Sequence, residues 1–237
     1  MTELIISFLV LSFLEIILGI DNIIFISLIA NKVKENIRNN VRLFGLLLSL
    51  ALRLTMLFFI TLLLKLTTPL FSIFTIGISV KDLIMILGGL FLIIKGGLSI
   101  YEEVFLVHEK VMTRKETVVA AGALYSIIQI VIVDFVFSLD SLITAIGLTN
   151  HYLTIAGAII VSVIFMIIFA PKVGYFIDNY PELKILAIVF IFLIGFILVL
   201  EGLSIHVNKS YLYFAIGFAL LAEILNIIMK KNIDKVK

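Results

Sequence analysis

The chain has 237 residues, of which 62% are hydrophobic and 14% charged, with a mean hydropathy of +1.27. Soluble domains run at about 45–50% apolar and ~25% charged, and disordered chains are poorer still in apolar residues, so both classes are excluded. A net charge of +2 without a basic run interleaved with aromatics leaves no footprint for nucleic acid. The absence of cysteine removes disulfides, thiolate metal sites and thiol nucleophiles.

Taken in chain order, uninterrupted apolar stretches predict seven transmembrane helices at about twenty residues per span. They are Leu4–Ala30, Val41–Leu64, Leu83–Tyr101, Val118–Leu148, Tyr152–Pro171, Leu183–Leu200 and Tyr211–Met229. The opening MTELIISFLV carries Glu3 in place of a Lys/Arg cluster, and no small-residue cleavage site follows. The first stretch is therefore expected to be a retained span and not a signal peptide. With no Trp, only the seven Tyr can furnish an interfacial belt. Three prolines are too few for linkers, so the prediction is a single all-α polytopic membrane domain over residues 1–237.

Lysine and arginine predict its orientation. The Asn31–Arg42 segment holds Lys32, Lys34, Arg38 and Arg42, and the Glu102–Thr117 segment holds Lys110, Arg114 and Lys115. Lys172 and Lys184 flank the next junction on that side, and Lys230, Lys231, Lys235 and Lys237 lie in the tail. These thirteen oppose only Lys65, Lys81 and Lys209, while Arg53 and Lys95 fall within spans. The positive-inside rule places the rich face in the cytoplasm, with the N-terminus outside and the C-terminus inside a bacterial cytoplasmic membrane.

Two segments repeat. When FLEIILGIDNIIFISLIAN, from Phe13, is set above VIVDFVFSLDSLITAIGLTN, offset by 119, Glu15 falls on Asp134, Gly19 on Ser138, Asp21 on Asp140, Asn22 on Ser141 and Asn31 on Asn150. The copies lie in the first and fourth spans, three apart in order, and therefore cross the membrane in opposite senses. The expected architecture is a 3+3 inverted repeat, with halves of about 1–101 and 118–200, plus a seventh helix at about 211–229.

A carboxylate at membrane depth is expensive and marks a pathway or site by default. Glu15, Asp21, Asp134 and Asp140 are four such groups. A spacing of six puts two side chains about 120° apart on a helix, whereas seven returns them to one face. Glu15 is thus expected to share a face with Asn22, and Asp134 with Ser141. Asp21 and Asp140 would join the same centre only if the helices unwound near Gly19 and Ser138, as broken transporter helices do. Gln129 and Thr144 flank the set. Oxygen ligands with excess negative charge suit a hard divalent cation such as magnesium, calcium or manganese. The metal-ligand candidates are Glu15, Asp21, Asn22, Asp134, Asp140 and Ser141. The four carboxylates need either protons or counter-charge from Arg53 and Lys95, and pairing with those cations purely for packing is the structural alternative. His108, His151 and His206 are expected at the surface, Glu201 at a wet span end, and the Gly88-Gly89 and Gly96-Gly97 pairs between close-packed helices. Glu223 and Asn226, three apart, are left open between a gate, an oligomer contact and an interhelical clamp.

LEIILGIDNIIFISL together with DFVFSLDSLITAIGLT, and its DxxFSxDS-like core, resembles the TerC family of integral membrane proteins, a branch of the LysE transporter superfamily. The likeness covers nearly the whole chain. It implies a metal-ion transporter, chiefly for manganese, with the family's acidic positions falling on Glu15, Asp21, Asn22, Asp134, Asp140 and Ser141. The metal is then the substrate, and no cofactor is implied. Some relatives append soluble cytoplasmic domains, which a chain ending at Lys237 is expected to lack. The expected partners are the bilayer and a divalent metal ion, with homo-oligomerisation left open. Two other functions compete. One is export of an amino acid or other small solute, for which Arg53 would have to meet the carboxylate. The other is an intramembrane enzyme, against which neither a GxGD nor a GxSG string occurs.

Overall fold

The computed structural model describes residues 2–59, 64–65, 67–73, 76–105, 119–149, 151–205 and 207–234. His108, Lys110, Arg114, Lys115, Asn150, His206, Lys235 and Lys237 lie outside the described residues, as does most of the expected charged loop after Tyr101. The elements in order are α1 (Thr2–Ala30), α2 (Glu35–Phe58), β1 (Pro69–Ile73), β2 (Ile76–Ser79), α3 (Val80–Val104), α4 (Val119–Leu148), α5 (Tyr152–Asn179), α6 (Pro181–Gly202) and α7 (Lys209–Asp234). Seven of these are helices long and apolar enough to cross a membrane. The chain is therefore an all-α polytopic membrane protein with one short antiparallel hairpin, β1–β2.

The boundaries depart from the apolar runs in several places; α2 ends at Phe58 and not Leu64, and α7 runs past Met229 to Asp234. α2 starts at Glu35, six residues before Val41, because its first turns are amphipathic, with Glu35 exposed and Arg38 and Arg42 turned to polar partners at the end of the bundle. α5 does not stop at Pro171 but runs through it to Asn179. There α1 supplies side-chain donors to α5 carbonyls: Ser27 Oγ donates to Ala170 O (3.0 Å) and Asn31 Nδ2 to Gly174 O (3.1 Å). These bonds fasten the turns around Pro171 to α1; the carbonyl that the proline leaves without its usual donor is that of Ile167, four residues earlier. The hairpin, which the sequence reading did not anticipate, leads into α3 through a capping box in which Ser79 Oγ accepts from Asp82 N (3.2 Å) and Asp82 Oδ2 accepts from Ser79 N (2.8 Å).

Three helix pairings build the bundle: α1 lies along α5, α2 against α4, and α3 along α6. The third is a glycine-mediated contact. A Cβ added at Gly89 would lie 2.6 Å from the Gly195 carbonyl oxygen, and one at Gly195 would lie 2.8 Å from the Gly89 carbonyl oxygen. One at Gly96 would lie 3.0 Å from Phe192 Cβ, and one at Gly88 2.5 Å from Val136 Cγ1 on α4. Small residues let backbones approach where lipid offers no hydrophobic drive for association. Gly97 has only ordinary contact, to the Phe192 ring. The buried interior combines apolar residues such as Ile26, Leu46, Leu92, Ile130 and Met166 with polar ones from the middle of α1, α2 and α4. α7 is peripheral, with Tyr211, Phe214 and Phe218 exposed. On that helix Asn226 Nδ2 donates to Glu223 Oε2 at 3.5 Å.

Candidate functional site

α1 and α4 run unbroken through Gly19 and Ser138, so the unwinding that would have merged all four motif carboxylates is not present. Helical periodicity therefore divides them. The residues spaced by seven meet in an inner cluster, and Asp21 and Asp140 line an adjoining cavity that Ser141 shares.

The inner cluster is closed by Arg53 of α2, which is 2% exposed. Its Nε donates to Asp134 Oδ2 at 2.9 Å and its Nη2 to Asp134 Oδ1 at 2.5 Å, while Nη1 donates to Glu15 Oε2 at 3.1 Å. Asn22 Nδ2 adds a bond to Asp134 Oδ1 at 3.1 Å. Ser141, whose hydroxyl also bonds back to the Ser138 carbonyl at 3.3 Å, faces the Glu15 carboxylate. The contacts are reciprocal between the two motifs: Asn22 of the first serves Asp134 of the second, and Ser141 of the second faces Glu15 of the first. Glu15, Asn22, Asp134 and Ser141 are all buried, so the pairing with Arg53 satisfies groups that would be very costly alone. Ser12 and Ser49 stand one turn from Glu15 and Arg53 on the same helix faces, buried and without a hydrogen-bond partner among the described residues.

The second cluster surrounds a cavity of about 50 Å³ lined by Leu18 and Asp21 of α1, Phe137, Asp140 and Ser141 of α4, Ile194, Ile197, Leu198 and Glu201 of α6, and Leu212 and Tyr213 of α7. A volume of this kind admits a few water-sized species, since each needs on the order of 10–15 Å³. Tyr213 hydrogen-bonds Asp21. Lys81, in the first turn of α3, donates from Nζ to Asp140 Oδ1 at 2.8 Å. Two cavity-lining positions in each motif therefore correspond: Leu18 with Phe137, and Asp21 with Asp140. Among the described residues, no three His, Cys, Asp or Glu side chains are gathered closely enough to cage a metal ion in this arrangement.

Several polar residues take places other than those expected. Lys95 reaches the Tyr125 hydroxyl (3.1 Å) and ring, not a carboxylate. Glu201, expected in water at a span end, lines the cavity and is only partly exposed. Lys81, counted among loop lysines, is the partner of Asp140, and Tyr213 carried no signal beyond its place in an apolar run. Gln129 is buried, Thr144 turns its hydroxyl to the Asp140 carbonyl at 2.9 Å, and His151 is exposed at the start of α5.

At the far ends of α1 and α5 a third polar group ties the bundle. Arg38 Nη1 meets Asp178 Oδ2 at 2.5 Å, and Asn31 Nδ2 meets Asp178 Oδ1 at 2.8 Å. Arg42 Nη2 donates to Asn31 Oδ1 in the space that Gly174 leaves open, where a Cβ would collide with the guanidinium.

The chain is 43% identical over 226 residues to a UPF0053 protein of Haemophilus influenzae, covering 95% of this chain and 94% of that one. It is also 43% identical over 222 residues to the UPF0053 inner membrane protein YgdQ of Escherichia coli K12, covering 94% and 92% of the two chains. The larger UPF0053 inner membrane protein YoaE of the same bacterium is 38% identical over 224 residues, 92% of this chain but 42% of YoaE. No solved structure matches the chain. The match to the family described as "Integral membrane protein TerC family" extends over residues 1–237, and the chain belongs to that family.

Proposed function

We propose that the chain exports a divalent metal ion, manganese foremost, along a path that passes through the cavity between the two acidic motifs. The observation that carries this is the lining: three carboxylates, Asp21, Asp140 and Glu201, border one small cavity in an otherwise apolar bundle. Hard oxygen donors with negative charge suit magnesium, calcium or manganese, and the preference for manganese comes from the TerC resemblance. The six ligand candidates act in two layers. Asp21, Asp140 and Ser141 meet the ion in the cavity, while Glu15, Asn22 and Asp134 stand behind them, clamped by Arg53. With two carboxylates against one guanidinium, that inner layer adds negative potential without offering an open ligand shell.

The 3+3 inverted repeat and its orientation are part of this proposal. A two-fold axis in the membrane plane exchanges α1 with α4, α2 with α5 and α3 with α6. It turns the α1–α5 contact into the α2–α4 contact and maps the α3–α6 contact onto itself, which are the three most extensive pairings of this bundle. With the lysine-rich face in the cytoplasm of an inner-membrane protein, like the relative YgdQ by its name, the start of α3, the end of α6 and the start of α7 all lie on the outer side. The cavity then leads outward, and the Asn31–Arg38–Arg42–Asp178 group closes the inner side.

The alternative within transport, an amino-acid or other LysE-like solute, requires a cation for the substrate carboxylate, and Arg53 is already bonded to Glu15 and Asp134. Purified protein in liposomes, challenged separately with manganese, calcium and lysine, tests the proposal. Manganese flux above protein-free liposomes is expected. Flux of lysine alone, or of none of the three, would overturn it.

A further inference from the structure

The ion pair between Lys81 and Asp140 is the feature that the transport reading leaves unexplained. Lys81 occupies the second position of α3, after the Ser79 cap. A helix N-terminus carries partial positive charge and disfavours a cation there, so helix stability does not account for this lysine. Its backbone is fixed, because the Ser79–Asp82 capping box holds the first turn. α3 is also locked to α6 by the Gly89–Gly195 contact and by Gly202, where a Cβ would lie 2.7 Å from the Asp82 carbonyl oxygen. The ammonium is the mobile end of a flexible four-carbon stem. It bridges the α3–α6 wall, which carries Glu201, to the α4 motif helix, which carries Asp140.

An ammonium 2.8 Å from Asp140 Oδ1 and a divalent ion on the same carboxylate exclude one another. Ligation at about 2.1–2.5 Å would put the two cations a few ångströms apart in a poorly solvated space, where like charges repel strongly. We propose that Lys81 is a tethered cation that competes with the transported metal for Asp140: metal entry releases the ammonium, and its return helps expel the metal towards the outer side. The inference rests on the metal-transport reading and assigns Lys81 a role in release. Retention of the metal is limited because its strongest competitor is covalently attached and always at hand. Between loads, Asp140 is never left as a lone anion.

The first measurement compares manganese binding and manganese flux in the full-length wild type, Lys81→Gln and Lys81→Arg. Loss of the ammonium should tighten manganese binding by about tenfold while slowing turnover, so that KM and kcat fall together. Lys81→Arg should stay near the wild type. A purely structural ion pair predicts the opposite for Lys81→Gln, with weaker binding and poorer stability. The second measurement needs no variant: amine labelling of wild-type Lys81, read by mass spectrometry, should rise when manganese is added. Unchanged binding in Lys81→Gln, or Lys81 labelling indifferent to manganese in protein that transports it, would overturn the inference and leave the metal-transport reading standing. Wild type that neither binds nor moves manganese would overturn both.

Discussion

The two carboxylate clusters come from the same two motifs yet are built in opposite ways. Glu15 and Asp134 are sealed in the bundle with a guanidinium that makes three hydrogen bonds to them. Asp21 and Asp140 lie along an internal cavity with Glu201 and Tyr213, and Asp140 is held by one lysine from a helix end. The difference is a matter of helical phase. Seven residues return a side chain to the same face and six do not, so a single repeated string supplies one pair bonded to Arg53 and a second pair beside a cavity.

The strongest way to break this comparison is to remove the sealed cation. Arg53→Met leaves two carboxylates buried without their partner, and loss of one member of a buried ion pair costs on the order of 3–5 kcal/mol. Unfolding in detergent should show that loss, with a smaller one for Arg53→Lys because a point ammonium cannot reproduce the forked contact.

The cavity side should respond in function, not stability. Asp140→Asn keeps an oxygen and the shape but removes a charge, weakening ion binding by roughly one to a few kcal/mol, where tenfold in affinity is about 1.4 kcal/mol. Manganese retained by an exporter-deficient strain should rise with Asp140→Asn and Asp21→Asn at unchanged protein level. Asp134→Asn should lower both export and protein level. Glu201→Gln, at a residue the sequence alone placed at a wet span end, should give an intermediate export defect because its carboxylate lines the cavity.

The wall opposite the motif helices can be tested next. Gly89→Ala places a methyl within 2.6 Å of the Gly195 carbonyl oxygen, and parting α3 from α6 should cost about 1–3 kcal/mol as overpacking, measured as a lowered unfolding midpoint. The smallest effect is expected at the bundle's other end. The Arg38–Asp178 pair is partly exposed, with side chains 17% and 35% accessible, so Arg38→Gln should change stability by no more than about 1 kcal/mol.

Much of this was legible in the residues. Seven apolar stretches predicted seven spanning helices, and the seven-residue spacing predicted which polar side chains share a helix face: Glu15 with Asn22, and Asp134 with Ser141. The expected counter-charge at Arg53 is also where the carboxylates find it. The hidden part lies at helix ends. Lys81, Glu201 and Tyr213 sit where a charge or hydroxyl costs little, so none of them stands out against an apolar run; only the packing of α3, α6 and α7 around the motif helices brings them to one cavity. The β1–β2 hairpin was masked because Leu70, Phe71 and Ile73 continue the apolar character of the preceding span. α2 began early because its first turns owe their helicity to an amphipathic pattern and not to bulk hydropathy.

The most direct test of the division between a sealed and an open cluster is the position of manganese in the protein, read from its anomalous scattering in manganese-soaked crystals. The account predicts a peak in the cavity, with carboxylate oxygens of Asp21 and Asp140 at about 2.1–2.5 Å, and Arg53 still bonded to Glu15 and Asp134. A peak held by Glu15 and Asp134 with Arg53 displaced, or no peak beside any of the four carboxylates, would contradict it.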